Sequence, residues 1–354
     1  MNKKPNIFKY ATNELSQDAF IAWLLAWSDE NYKDEYSELH KLGKELLKAM
    51  CGGEEWKLGK PIKDSNIELE WTYKANDKKR KERIDILASL ENKVGEKAYL
   101  IVEDKVFAGL NIEQLQNYKN TIANELGKGA KIKCVHIKTG NFPLTRQLCE
   151  QLKDRDYVLI YRELMLKILN KYNGDNQIVI DFKTRWQEFE DETNSFINGN
   201  LSTWSWRAWE GFGNYLHKEF HIYDSHWNYT NNPEDGNYIF CAWHWQSIPS
   251  FKNEDVVMYI QINSHKERKL EIRLGFKNLW NKESKANINI DISKPERLEY
   301  RRKCEEFLKN RLNYTPTANR VRGKSFCIGH ITYCDCNYEK LIVFLEDVSK
   351  KIKI

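Results

Sequence analysis

The stretch from residue 83 to residue 118 places charge where a strand hairpin ordinarily keeps apolar side chains. Two short apolar runs, 84–88 and 98–102, flank the turn-forming residues 91–97, and the pattern beyond them becomes helical. Such runs around a turn predict two antiparallel strands followed by a helix. Asp85 falls inside the first run. Glu103 and Lys105 fall at the end of the second, two residues apart, so both side chains leave the same face of that strand. A carboxylate on each of two neighbouring strands, with an ammonium beside one of them, suits a hard divalent cation. Mg²⁺ takes oxygen ligands, and one or two carboxylates hold it while waters and phosphate oxygens fill the remaining positions.

Gln114 and Tyr118 lie four residues apart and share one face of the predicted helix. Taken in order, Ile84-Asp85, Glu103-Asp104-Lys105 and Gln114-Leu115-Gln116-Asn117-Tyr118 resemble the core of the PD-(D/E)xK nuclease superfamily, in its branch with a Q-x-x-x-Y helix. Ile84 stands where the superfamily name has proline, a departure that removes no ligand. The resemblance covers the N-terminal half alone. It implies a three-layer α/β/α core with a central mixed sheet and a Mg²⁺-dependent phosphodiester hydrolase, with Mn²⁺ as the substitute ion. It implies a metal held by Asp85, Glu103 and the Asp104 main-chain carbonyl, and a Lys105 that orients or deprotonates the attacking water. Gln114 and Tyr118 would position the metal shell or a substrate phosphate. A helix before the sheet often lends an acid to such a site, and Glu14 is the residue carried over, ahead of Asp18 on the same helical flank. The Asp104 side chain should point to the opposite face of its strand and is given no role.

Around this core the chain reads as follows. Leu15, Ala19, Ala22, Trp23, Ala26 and Trp27 recur at helical spacing after a cap at Thr12 or Asn13. A second helix spans 37–50 and ends at Cys51-Gly52-Gly53, and 67–73 is a strand. The basic run 78–81 is a solvated hairpin tip or a phosphate contact. Strands at 132–137 and 157–161 alternate with helical stretches at 148–152 and 163–170. The expected domains are a nuclease domain over 1–175, a connecting helix over 176–200 and a smaller α+β domain over 201–354.

The second half holds seven of the twelve tryptophans, at 204, 206, 209, 227, 243, 245 and 280. Alternating runs at 238–245, 256–262 and 270–276 predict an antiparallel sheet, with helices over 303–312 and 337–352 packed on it. The tryptophans are core residues or, in the sharper reading, a stack for exposed bases. Cys327, His330, Cys334 and Cys336 form C-x2-H-x3-C-x-C, a spacing foreign to the common zinc fingers; free thiols are favoured over Zn²⁺ there.

With 354 residues and a net charge of +5, the chain is large enough for two cores and only mildly basic. Scattered cysteines and an N-terminus without an apolar signal core predict a cytoplasmic protein, and no apolar run is long enough to span a bilayer. The expected partner is nucleic acid, DNA ahead of RNA, with a homo-oligomer compatible. The C-terminal half would govern target choice or assembly, in restriction, repair or defence against phage. The other readings are a nuclease fold that binds nucleic acid or regulates without turnover, and an RNA-cleaving enzyme.

Overall fold

The computed structural model describes residues 5–11, 13–63, 65–74, 81–106, 112–125, 131–141, 146–219, 226–232, 236–251, 253–264, 269–276, 293–318, 321 and 324–353. They fall into two compact units, Met1–Asp191 and Glu192–Ile354.

In the first unit, α1 (Glu14–Ala26) and α2 (Ser37–Met50) precede β1 (Lys57–Leu58), β2 (Ile67–Lys74) and the hairpin of β3 (Lys81–Glu91) and β4 (Lys97–Lys105). Then come α3 (Ile112–Glu125), β5 (Lys131–Lys138), α4 (Arg146–Lys153), β6 (Tyr157–Tyr161), α5 (Arg162–Leu169) and α6 (Gln177–Thr193). The sheet runs β1-β3-β4-β5-β6, with β2 also paired to β3. Its first part is antiparallel because a tight turn joins β3 to β4. Its second part is parallel, since α3 and α4 provide the crossovers that parallel neighbours need.

Alternation along β4 sets the layers. Leu100, Val102 and Val106 share a core with Leu24 of α1, Leu46 of α2, Met165 of α5 and Trp186 of α6. Ile101 faces the other way, into a core with Tyr118 and Ile122 of α3 and Leu152 of α4. The result is a three-layer α/β/α fold around a mixed sheet. The helix expected to connect the two halves belongs to this packing, for α6 lends Val179, Phe182, Trp186 and Phe189 to the first core.

α1 buries a different stripe from the one its spacing suggested. Gln17, Asp18, Phe20, Ile21, Leu24 and Leu25 are buried along with the expected Ala22, whereas Leu15 is 45% exposed and Ala19 is exposed. The helix is apolar most of the way round, so hydrophobicity marks no single face. Tertiary packing chooses instead, and Phe20 stacks on Phe182 with ring centroids 3.7 Å apart.

The second unit comprises α7 (Trp206–Glu219), β7 (His226–Asn232), β8 (Gly236–Gln246), β9 (Val256–Asn263), β10 (Lys269–Phe276), α8 (Lys294–Leu308), β11 (Thr315–Pro316), β12 (Ser325–Thr332) and α9 (Tyr338–Ile352). Its antiparallel sheet has the order β11-β12-β10-β9-β8-β7. Met258, Ile260, Leu270 and Ile272 pack with Phe212 of α7, Cys304 of α8 and Leu345 of α9. α8 starts nine residues before the expected 303, because Ser293 and Glu296 form a capping box with proline in the first turn. Trp280 and Lys78, Lys79 and Arg80 of the basic run lie outside the described residues. Among the described residues no helix is long and apolar enough to cross a membrane.

Candidate active site

β3 and β4 pair from Glu91 and Lys97 as far as Ile86 and Val102, while β4 stays paired with β5 through Lys105 and Lys138. The two hairpin strands therefore part at Asp85. The Asp104 N–H, which a continuing ladder would have used, donates to Asp85 Oδ2 at 3.0 Å. This fixes the Asp85 carboxylate beside the end of β4, where Glu103 and Lys105 emerge on the same face.

Lys105 Nζ lies 2.8 Å from Glu103 Oε1, 2.8 Å from the Asp104 carbonyl oxygen, 3.4 Å from Asp85 Oδ2 and 4.0 Å from Glu14 Oε2. The four groups singled out as cation ligands thus surround one ammonium. Glu14 arrives from the start of α1 and is held by the Val106 N–H, which donates to its Oε1 at 2.9 Å. Asp85 and Glu103 are buried, but the Lys105 and Glu14 side chains retain 17% and 38% of their exposure. Burial, reinforced by Asp85, pushes the Glu103 carboxyl up to about 7 against the pull of Lys105. Burial alone would lower Lys105, but Glu103 and Asp85 outweigh it and hold the amine well above its usual range. Lys105 is therefore an ammonium throughout the neutral range.

The other side of β4 carries a second carboxyl cluster. Asp104 points there, as the strand alternation requires, and its two oxygens accept from Gln17 Nε2 at 2.7 and 2.9 Å. Gln17 Oε1 accepts from Thr139 Oγ1 at 3.0 Å, and the Thr139 carbonyl accepts from buried Arg162 at 2.6 Å. Burial raises Asp104 well above the carboxylate range, with neighbouring Asp18 adding to it. Burial and then Asp85 push Asp18 up to about 7. Two buried carboxyls in contact cannot both ionise cheaply, so this pair retains a proton near neutrality. Gln17 escaped the sequence reading because a glutamine on an apolar helix gives no signal until the register of α1 against β4 is known.

Gln114 and Tyr118 come together on α3. Gln114 Nε2 donates to the Tyr118 hydroxyl, which donates to the Arg83 carbonyl at 2.6 Å. Tyr118 is fully buried, and its hydroxyl ties α3 to β3 two residues from Asp85. His136 was not foreseen. It lies opposite Glu103 in the β4–β5 register, with Nδ1 3.2 Å from the Glu103 carbonyl. A carbonyl only accepts, so Nδ1 bears the proton. Burial pushes His136 down to about 4, and the ring is neutral at pH 7.

Cys327 and His330 stand on β12, where Cys327 Sγ faces the Gly329 carbonyl at 3.3 Å. Among the described residues no three His, Cys, Asp or Glu side chains gather into an ion cage. At the end of β4 the three carboxylates are spaced around Lys105 instead. The donors there still fit a hard divalent cation in kind: all are oxygens, the carboxylates outnumber the ammonium, and Glu103 Oε2 is buried with no hydrogen-bond partner among the described residues.

Comparison with curated proteins and with solved structures gave no match. The family model of the PD-(D/E)XK nuclease superfamily matches residues 5–188, an interval that contains Glu14, Asp85, Glu103, Lys105, Gln114 and Tyr118. The match covers more than half of the chain and agrees with the mixed sheet and its flanking helices, so this protein belongs to the PD-(D/E)XK nuclease superfamily.

Proposed function

We propose that the chain is a Mg²⁺-dependent nuclease that hydrolyses phosphodiester bonds in DNA, with Mn²⁺ able to replace Mg²⁺. The observation that carries this reading is the convergence of Glu103, Asp85, Glu14 and the Asp104 carbonyl around Lys105 Nζ within 4.0 Å.

Asp85, Glu103 and the Asp104 carbonyl would hold the metal, with Glu14 at its outer side. Bound there, the ion would supply Lewis acidity to the phosphate and lower the pKa of a water. The protein's own groups do the rest. Lys105, kept charged by Glu103 and Asp85, orients the water and offsets negative charge on the phosphate rather than accepting a proton. The Gln114–Tyr118–Arg83 chain keeps α3 against the strand that bears Asp85, and the neutral His136 ring steadies the main chain at Glu103. The second unit governs target choice or assembly, and a role in defence against invading DNA accords with a nuclease of this kind.

A cleavage panel tests this reading. Linear, circular and single-stranded DNA, and RNA, are incubated with the full chain in Mg²⁺, Mn²⁺ or EDTA. DNA cleavage in metal that stops in EDTA is expected, and Asp85→Ala, Glu103→Ala and Lys105→Ala should each reduce it by about 10³-fold or more. Full activity in all three variants would overturn the assignment, and cleavage of RNA alone would correct the substrate.

A further inference from the structure

Trp204, Trp209, Trp227 and Trp243 of the second unit are all buried. Trp206 and Tyr229 are 41% and 36% exposed. Their rings are parallel to within 3°, with centroids 5.8 Å apart. Trp206 Nε1 and the Tyr229 hydroxyl donate to the same oxygen, Oε1 of Glu210, at 3.0 and 2.7 Å, and Glu210 is itself buried.

This inverts the usual arrangement. A partly exposed Trp or Tyr ordinarily buries its ring and leaves its polar tip in water. Here both polar tips turn inward to a buried carboxylate, while both residues stay partly exposed. Trp206 opens α7, and Tyr229 lies on the edge strand β7. Behind them Trp227 meets Tyr229 edge-on at 5.4 Å and sits so close to α7 that a Cβ at Gly213 would lie 2.5 Å from its indole. The pair is thus fixed in place before any ligand arrives, which keeps the ordering cost of binding small.

A stacked, partly exposed aromatic pair can extend its stack onto the face of another planar ring. Bases within a duplex stack on one another and offer only their edges, whereas an unpaired base exposes its face. We propose that Trp206 and Tyr229 form a stacking platform for an unpaired nucleobase in a single-stranded segment of the substrate, an inference that rests on the nuclease reading above. Basic residues outnumber acidic ones in Glu192–Ile354, which favours a phosphate backbone at this unit. Stacking needs only a π-face, so the platform tolerates any base.

The test is fluorescence anisotropy of the full chain in EDTA with a labelled DNA single strand of about 20 nucleotides, the matching RNA and the matching duplex. The wild type should prefer single strands. Trp206→Ala and Tyr229→Ala should each weaken binding to the preferred single strand by about tenfold or more, with less than about a twofold change on the duplex. Trp206→Phe, which keeps a ring, should recover most of the loss. Unchanged single-strand affinity in both alanine variants, or an equal loss on the duplex, would overturn the platform. Should the alanine variants fail to fold, quenching carries the test: a single strand should quench wild-type tryptophan emission more than that of Trp206→Phe, and equal quenching overturns the proposal. Single-strand binding without cleavage in Mg²⁺ counts against the nuclease reading alone. Cleavage by a wild type whose platform variants bind as it does counts against the platform alone.

Discussion

Glu103 and Asp104 are neighbours in sequence, both are buried, and they meet their burial in opposite ways. Glu103 shares its face of β4 with an ammonium that also contacts Asp85, and one of its oxygens has no hydrogen-bond partner among the described residues. Asp104, on the reverse face, has both oxygens bonded to Gln17 and sits against Asp18, a second carboxyl. The first arrangement gathers three carboxyl groups around one ammonium. The second is a polar network that extends through Thr139 to Arg162 and anchors α1, and with it Glu14, to the end of β4. Alternation along one strand separates a group suited to chemistry from a group that positions it.

The sharpest way to break this comparison is to neutralise each acid in turn. Glu103→Gln should lower cleavage by about 10³-fold. Asp104→Asn, which alters the side chain but leaves the carbonyl, should lower it by less than about tenfold. Equal losses in a single-turnover assay would show that the two faces are not functionally distinct.

A smaller effect concerns the pH dependence of stability. Asp18 is raised from 3.8 to about 7 in the fold, so its protonated form is the one the fold favours. The stability linked to it is fully present below pH 3.8 and is lost as the pH rises through about 7. In EDTA this contribution should therefore be smaller at pH 8 than at pH 5, against the opposite contribution of His136, whose lowered value favours the fold as the pH rises. Asp18→Asn cannot titrate and should remove on the order of 1–3 kcal/mol of that difference in urea unfolding. A variant with the wild-type slope would show that the pair ionises without cost.

The smallest effect belongs to Tyr118, whose hydroxyl also helps to hold the Glu103 carboxyl down. Tyr118→Phe removes the hydroxyl that donates to the Arg83 carbonyl and accepts from Gln114. Cleavage should fall by about tenfold, and stability by about 1 kcal/mol for the lost hydrogen bond. A loss as large as that of Glu103→Gln would mean that the hydroxyl acts on the reacting groups themselves.

Much of this was legible in the residues. The hairpin, its turn and the α3 pair Gln114 and Tyr118 were marked by period-two and period-3.6 patterns, since local backbone geometry alone decides which side chains share a face. α2, with Leu39, Leu42, Leu46, Leu47 and Met50 buried, follows its amphipathic stripe. Patterns failed where two surfaces had to be matched. α1 offered apolar residues all round, and only its packing against α6 and β4 selected the stripe that buries Gln17 and Asp18. The start of α8 was hidden because its first turns are polar and charged, although its capping box was present in the sequence.

The sequence by itself determined most of the strand and helix order of the first unit, the face shared by Glu103 and Lys105, and membership in a nuclease superfamily through spacings only tens of residues long. The tertiary structure decided which groups meet. It parted β3 from β4 at Asp85, brought Glu14 in from a helix about 90 residues upstream to the Val106 N–H, set His136 beside Glu103, and turned Trp206 and Tyr229 outward over Glu210. The reason is that periodicity records only where a side chain points along its own element, whereas a site depends on the register between elements, which long-range packing alone fixes.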